Sequence, residues 1–152
     1  MISIQPPKLG QTALCEAILR ALPDWFGIEA ANQMYIHNID VNPTLIALVD
    51  ERTVGFLTLM EHNPYSAEIH VMGVSPEWHR KGVGRALVEA AEAHLRSRNF
   101  EFLQVKTLSE KDPDEGYKKT RAFYMALGFR PLQEFDDLWG SENPCLQLVK
   151  SL

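Results

Sequence analysis

Cysteine is scarce in this chain: only Cys15 and Cys145 occur in 152 residues. They lie far apart without ligand-type spacing, so neither a disulfide framework nor a metal cluster is encoded. They read as buried free thiols in a reducing compartment. No apolar run reaches the roughly 20 residues a membrane-spanning helix needs. The opening residues, Met1-Ile2-Ser3-Ile4-Gln5-Pro6-Pro7, have neither the basic nor the apolar region of a secretory signal, so the expected location is the cytoplasm. Excess basic charge is also missing. The 15 Lys and Arg against 20 Asp and Glu leave a net charge of −5, which argues against a dedicated nucleic-acid binder. Repeats, low-complexity tracts and linkers are absent, so residues 1–152 read as one domain.

What is present has the patterning of an α/β protein. Ile2 to Gln5 is a short strand that Pro6-Pro7 should stop. Gln11 to Leu22 has helical spacing, with Leu14, Ile18 and Leu22 on one face. Pro23-Asp24-Trp25-Phe26-Gly27 breaks it, and a second helix runs from Ile28 to about Asn38. Thr44 to Val49 and Thr53 to Met60 are strands joined by the tight turn Asp50-Glu51-Arg52. Ala67 to Val74 is a third strand of this group. The next helix carries Val83, Leu87, Ala91 and Leu95 as one apolar stripe, with Glu92 and Arg96 as an i,i+4 pair. Phe100 to Thr107 is a strand, Ser109 to Gly116 an acidic loop, and Tyr117 to Leu127 a helix ended by Gly128. Phe129 to Phe135 and Cys145 to Val149 are the last strands. The order predicts a mixed, mostly antiparallel sheet of six to seven strands flanked by about four helices.

One segment carries chemistry. Val74-Ser75-Pro76-Glu77-Trp78-His79-Arg80-Lys81-Gly82-Val83-Gly84-Arg85 links a strand to a helix N-terminus through a basic, glycine-containing turn. The first turn of a helix has unpaired N–H groups and the positive end of the helix dipole, so it favours a phosphate. Arg80, Lys81 and Arg85 add charge, and Gly82 and Gly84 allow close backbone approach. A Walker A loop needs Gly-x-x-x-x-Gly-Lys-Ser/Thr, which is absent. A dinucleotide fingerprint needs a third glycine where Leu87 stands, and it follows a first strand rather than a fourth. A coenzyme A diphosphate is the third option.

His79-Arg80-Lys81-Gly82-Val83-Gly84 resembles the Gln/Arg-x-x-Gly-x-Gly/Ala signature of the GNAT superfamily of acetyl-CoA-dependent N-acetyltransferases. Arg121-Ala122-Phe123-Tyr124-Met125-Ala126-Leu127-Gly128-Phe129 resembles that family's Phe-Tyr-x-x-x-Gly-Phe segment. The element order is similar to the family's over nearly the whole chain. His79 departs from the usual Gln or Arg, and Tyr117 stands where many members have Asn.

The resemblance implies acetyl-CoA as donor and transfer to a primary amine of a small molecule or peptide, by direct attack in a ternary complex. It implies that backbone amides of His79 to Gly84 hold the diphosphate. It also implies that Met72, Gly73 and Val74 pair with the pantetheine arm as an added strand would. Tyr117 and Phe123 are expected beside the cofactor. Tyr124 resembles the family's general acid, which protonates the leaving thiolate. Glu68 resembles the strand-four Glu that serves some members as general base. Strand alternation puts Glu68, His70, Met72 and Val74 on one face, so His70 is a second candidate base, with an ordinary pKa nearer neutrality. Trp25 and Phe26 are read either as an acceptor wall with Asp24 attracting an ammonium group, or as core packing. Trp139, beside Asp136 and Asp137, is a further acceptor candidate. A homodimer fits the family. The competing reading is a non-catalytic acyl-CoA-binding module on the same fold.

Overall fold

The central hairpin shows how local sequence sets the frame. The computed structural model describes all 152 residues and places strand β2 at Thr44–Val49 and β3 at Arg52–Glu61. Asp50 and Glu51 between them both take left-handed backbone angles, φ 49° and 64°. A two-residue turn with positive φ at both positions matches the twist of the strands it joins. Strand β4, Ser66–Val74, folds back antiparallel on β3. Strand β1, Ser3–Lys8, lies at the edge beside β2 and runs through Pro6 and Pro7, where the sequence predicted a stop. An edge strand tolerates proline because one row of its N–H groups has no partner, and the β1–β2 register slips between Gln5 and Lys8.

Helix α1 spans Thr12–Arg20, α2 Glu29–Val41, α3 Val83–Ser97 and α4 Glu115–Ala126. Strands β5 (Phe102–Leu108), β6 (Arg130–Phe135) and β7 (Cys145–Ser151) complete a sheet of order β1-β2-β3-β4-β5-β7-β6. Every neighbouring pair is antiparallel except β4–β5. A parallel pair requires a crossover, and α3 supplies it over one face. This is the mixed, mostly antiparallel α/β architecture that the element order predicts.

The α3 stripe is as predicted: Val83, Leu87, Ala91 and Leu95 are all buried. Glu92 is not the surface partner of Arg96. It is buried and ion-paired with Lys150 of β7, because it borders the stripe rather than solvent. On helix α1 the predicted face holds at Ile18 and, just past the helix, Leu22, which are both buried, and fails at Leu14. Cys15, Ile18 and Leu19 are buried, while Leu14 is 43% exposed.

The sheet separates two cores. The larger, under α3 and α4, includes Leu57, Ile69, Leu87, Tyr124 and Phe129. The smaller, under α1 and α2, includes Leu19, Ile39, Ile46, Phe56 and Val71, and none of its members comes from β5, β6 or β7. The α1–α2 layer therefore covers only half of its face. Beside it, Gln104, Lys106 and Gln147 line the uncovered half, all part-exposed.

Candidate active site

Strands β4 and β5 are paired only from Ser66↔Phe102 to Ile69↔Val105. Strand β4 continues to Val74 and β5 to Leu108. Past Ile69 the edge of β4 that faces β5 has no strand partner, so a gap opens in the sheet. Backbone groups at such an edge are the ones an extended ligand pairs with.

A β-bulge lies at the mouth of this gap. Thr58 stands opposite Val71 and Leu59 opposite Ile69, which leaves His70 as the extra residue. A bulge breaks the two-residue alternation. Ala67 and Ile69 face the larger core, Val71 joins the smaller one, and Met72 and Val74 pack against the larger one. The expectation that Glu68, His70, Met72 and Val74 share a face is therefore corrected: the first two face the α1–α2 side and the last two the α3 side. Gly73 points at α1, where an added Cβ would sit 2.9 Å from the Phe56 ring.

Glu68 is 6% exposed and sits where pairing with β5 ends. Its Oε1 lies 2.6 Å from His62 Nε2, and Lys106 Nζ donates to both carboxylate oxygens at 3.1 Å. His70 faces α2 instead. Its Nε2 is 3.0 Å from Asn38 Nδ2, and its ring packs edge-on against Tyr35 at 5.5 Å. Burial holds the His70 pKa below its ordinary value, with the Glu68 charge opposing and Lys106 and His62 adding to the fall. Burial raises the Tyr35 pKa, helped by the nearby Glu68.

Tyr124 lies on the other side of the sheet. It is 5% exposed, with its ring edge-on to Phe123 at 5.2 Å and to Phe129 at 5.5 Å. Its hydroxyl is not tied up by any protein group, and burial raises its pKa well above the ordinary tyrosine value. It stays a protonated donor throughout the neutral range.

The glycine turn forms as a short 3-10 turn, Pro76–Trp78, followed by Gly82 in the left-handed region at φ 86° and then α3. No side chain caps α3, and the N–H groups of Val83, Gly84 and Arg85 have no acceptor. Lys81 stands 5.0 Å over the Trp78 ring, Arg85 reaches Glu89 on the surface, and Arg80 is exposed with φ 60°. These unpaired amides and exposed cations fit the diphosphate of coenzyme A. Gly84 has a packing reason of its own, since an added Cβ would lie 3.1 Å from the Phe123 ring. His79 donates from Nε2 to the Val74 carbonyl at 2.7 Å, which ties the turn to the end of β4.

The candidate acceptor residues do not form one group. Trp25 bridges the turn and α4: its ring packs edge-on against His79 at 5.9 Å, and its Nε1 donates to Thr120 at 3.1 Å. Tyr117 joins the same bridge, donating its hydroxyl to the Trp25 carbonyl at 2.9 Å, and burial lifts its pKa to about 12. Phe26 lies edge-on to Tyr35 at 5.8 Å, and both Trp25 and Phe26 pack against the smaller core, as the core-packing reading expects. Asp24 is exposed without an ion-pair partner. Trp139 is 39% exposed in the β6–β7 loop and touches none of the rings above. Below that loop an open cavity of about 980 Å³ is lined by Asp112, Glu134, Asp136, Asp137 and Glu142, with Lys111 as its cation.

His62, Lys106 and Tyr35 were not singled out in the sequence. Lys106 was within reach: Gln104 pairs with Glu68, and residue 106 repeats its face. Reading this requires the parallel register of two strands separated by a helix, which no local pattern supplies. His62 sits in a turn, with no signal beyond its residue type.

The Acetyltransferase (GNAT) family model matches residues 12–129. A mycothiol acetyltransferase from Nocardiopsis dassonvillei is 27% identical over 131 residues, which is 81% of this chain and 34% of that protein. The chain thus spans about a third of the length of the curated relatives it matches. Among solved structures, a GNAT-family protein from Desulfovibrio desulfuricans superposes with a TM-score of 0.81 at 15% identity, covering 99% of both chains. The ribosomal-protein-S18-alanine N-acetyltransferase of Escherichia coli gives 0.78 at 15% identity, covering 99% of this chain and 94% of that one. The fold, the glycine turn and the family match agree: the chain belongs to the GNAT acetyltransferase family, whose acetyl donor is acetyl-CoA.

Proposed function

We propose that the protein transfers the acetyl group of acetyl-CoA to a primary amine of a small molecule or peptide by direct attack. The observation that carries this reading is the open edge of β4 past Ile69, with Glu68 buried beside it on the α1–α2 side; Tyr124, in the core on the α3 side, supports it. When bound, acetyl-CoA supplies an acetyl group activated as a thioester. The amides of Val83, Gly84 and Arg85 hold its diphosphate, and the open edge of β4 at Met72–Val74 aligns its arm. A backbone N–H near Met72 or Gly73 would donate to the thioester oxygen as charge develops on it. Glu68 takes the proton of the incoming ammonium on the α1–α2 side. The Tyr124 hydroxyl holds a proton for the leaving sulfur on the α3 side.

Glu68 is preferred to His70 as base because it stands where the β4–β5 pairing ends, while the His70 ring faces Asn38 and Tyr35 of α2. An acetyl-cysteine route is disfavoured by the thiols themselves. Burial lifts Cys145 to about 11 and Cys15 to about 12, so neither offers a thiolate near neutral pH. The similar proteins are named for mycothiol in one case and a ribosomal-protein alanine in another, so they point to no single acceptor. In the open basin, where Lys111 already pairs with Glu134 and Asp136, the unpaired carboxylates Asp112, Asp137 and Glu142 favour a cationic amine. The cytoplasm remains the proposed location, with both thiols free, and a homodimer is compatible with an edge strand β6 whose residues are nearly all exposed.

The test is a thiol-release screen with acetyl-CoA across simple amines, amino acids, polyamines, aminoglycosides and peptides. Release with at least one primary amine is expected. Calorimetric binding of coenzyme A without release for any acceptor would replace this reading with the acyl-CoA-binding one.

A further inference from the structure

A buried base must be emptied after each turnover. Glu68 is almost wholly enclosed, so a proton taken from the acceptor needs a route out. Two groups touch its carboxylate. Lys106 is an ammonium without a lone pair, so it can orient the carboxylate but cannot accept a proton. His62 has an imidazole nitrogen 2.6 Å from Oε1, and its side chain is 37% exposed. It alone combines contact with Glu68, a proton-accepting atom and access to water.

The backbone fixes His62 in this position. Its N–H donates to the Ser66 carbonyl at 3.0 Å, closing the β3–β4 hairpin. Asn63 Oδ1 locks the same turn by accepting from the N–H groups of Tyr65 and Ser66. His62 and Glu68 thus face one another across a short, hydrogen-bonded hairpin.

We propose that His62 is the proton exit of the active site, a positioning and relay residue acting through Glu68. This rests on Glu68 being the base. The ammonium of the acceptor loses a proton to the Glu68 carboxylate, which becomes a carboxylic acid. Against the Glu68 carboxylate His62 Nε2 carries the hydrogen; once Glu68 is protonated, His62 passes to its Nδ1–H tautomer by proton exchange with water, and its Nε2 lone pair takes the Glu68 proton. The imidazolium then releases its Nδ1 proton to bulk water, which restores the Nε2–H donor beside a Glu68 carboxylate. The net change is one proton moved from amine to solvent, with no redox step. The charged and titratable groups around the relay are Glu68 and His70 on β4, Lys106 on β5, Tyr35 on α2, Cys145 on β7 and the Glu61–Arg98 pair beside it.

The experiment compares His62→Ala, His62→Gln and Glu68→Gln with wild type in steady-state, multiple-turnover acetyl transfer, using the fastest primary amine of the screen. Glutamine keeps a hydrogen-bond donor for Glu68 but cannot carry a proton, so it separates relay from scaffold. Both His62 variants should lose about tenfold in rate, less than the roughly 10²-fold or greater loss expected for the base. The acetyl-CoA KM should not change. Added imidazole should restore His62→Ala, while the non-titrating 1,3-dimethylimidazolium ion should not. Wild-type rates in His62→Gln, or a loss in His62→Ala that imidazole leaves untouched, overturn the relay and leave Glu68 as base. Wild-type rates in Glu68→Gln overturn both.

Discussion

Replacing Tyr124 with Phe should separate activity from stability: transfer falls and the fold is retained. The ring is packed between Phe123 and Phe129 at 5.2 and 5.5 Å, and Phe keeps both contacts. The hydroxyl has no protein partner, although the residue is only 5% exposed. The Tyr124 oxygen keeps access to solvent, so its removal should move stability by no more than about 1 kcal/mol in either direction. In a domain of this size that is a Tm shift within about 2–4 °C. Transfer should fall about 10²-fold, the lower side of what a positioned acid contributes, or roughly 2.7 kcal/mol of barrier. Calorimetric melting and thiol release on the same preparation measure both. Burial raises the Tyr124 pKa, so the wild-type rate should show no loss from its ionisation at neutral or mildly alkaline pH. A wild-type rate in Tyr124→Phe would refute the acid assignment. A Tm that drops by several degrees would show that the hydroxyl has a structural partner.

Three further outcomes are expected. Gly84→Ala places a Cβ 3.1 Å from the Phe123 ring, and such overpacking costs about 1–3 kcal/mol against a helix-propensity gain of about 1. Denaturant titration should show net destabilisation, reversed to a gain when Phe123→Leu makes room; a stabilised single variant would contradict the packing argument. Burial holds the His70 pKa below its unfolded value, so the stability it contributes is present above that unfolded value, about 6.5, and is lost as pH falls through the lower folded one. The denaturation midpoint should therefore fall less steeply from about pH 7 to about pH 5 in His70→Gln than in wild type; parallel slopes would exclude the assignment. Reversing charge at Asp24 and Asp137 should raise the acceptor KM with kcat retained, and unchanged KM values would remove the cationic-acceptor reading.

Local periodicity made most of the fold legible. The Val83–Leu87–Ala91–Leu95 stripe and the Asp50-Glu51 turn are short-range signals, and both appear as read. Pro6 and Pro7 misled because proline forbids an interior strand, not an edge one. In the site, the glycine turn and Tyr124 were visible as motifs on single elements. The faces of Met72 and Val74 were not, because alternation assumes an unbroken ladder and the bulge at His70 breaks it. Trp25 showed as an aromatic in a loop, but its attachment to Thr120 and His79 spans distant parts of the chain. The Glu68 partners were hidden for the same reason: Lys106 depends on the β4–β5 register, and His62 on the geometry of a hairpin turn.

The most direct test of transfer across the β4–β5 gap is acetyl transfer by Glu68→Gln, with coenzyme A binding measured calorimetrically on the same protein. Unchanged coenzyme A affinity with transfer reduced about 10²-fold or more is the predicted result. Equal transfer by wild type and Glu68→Gln would contradict it.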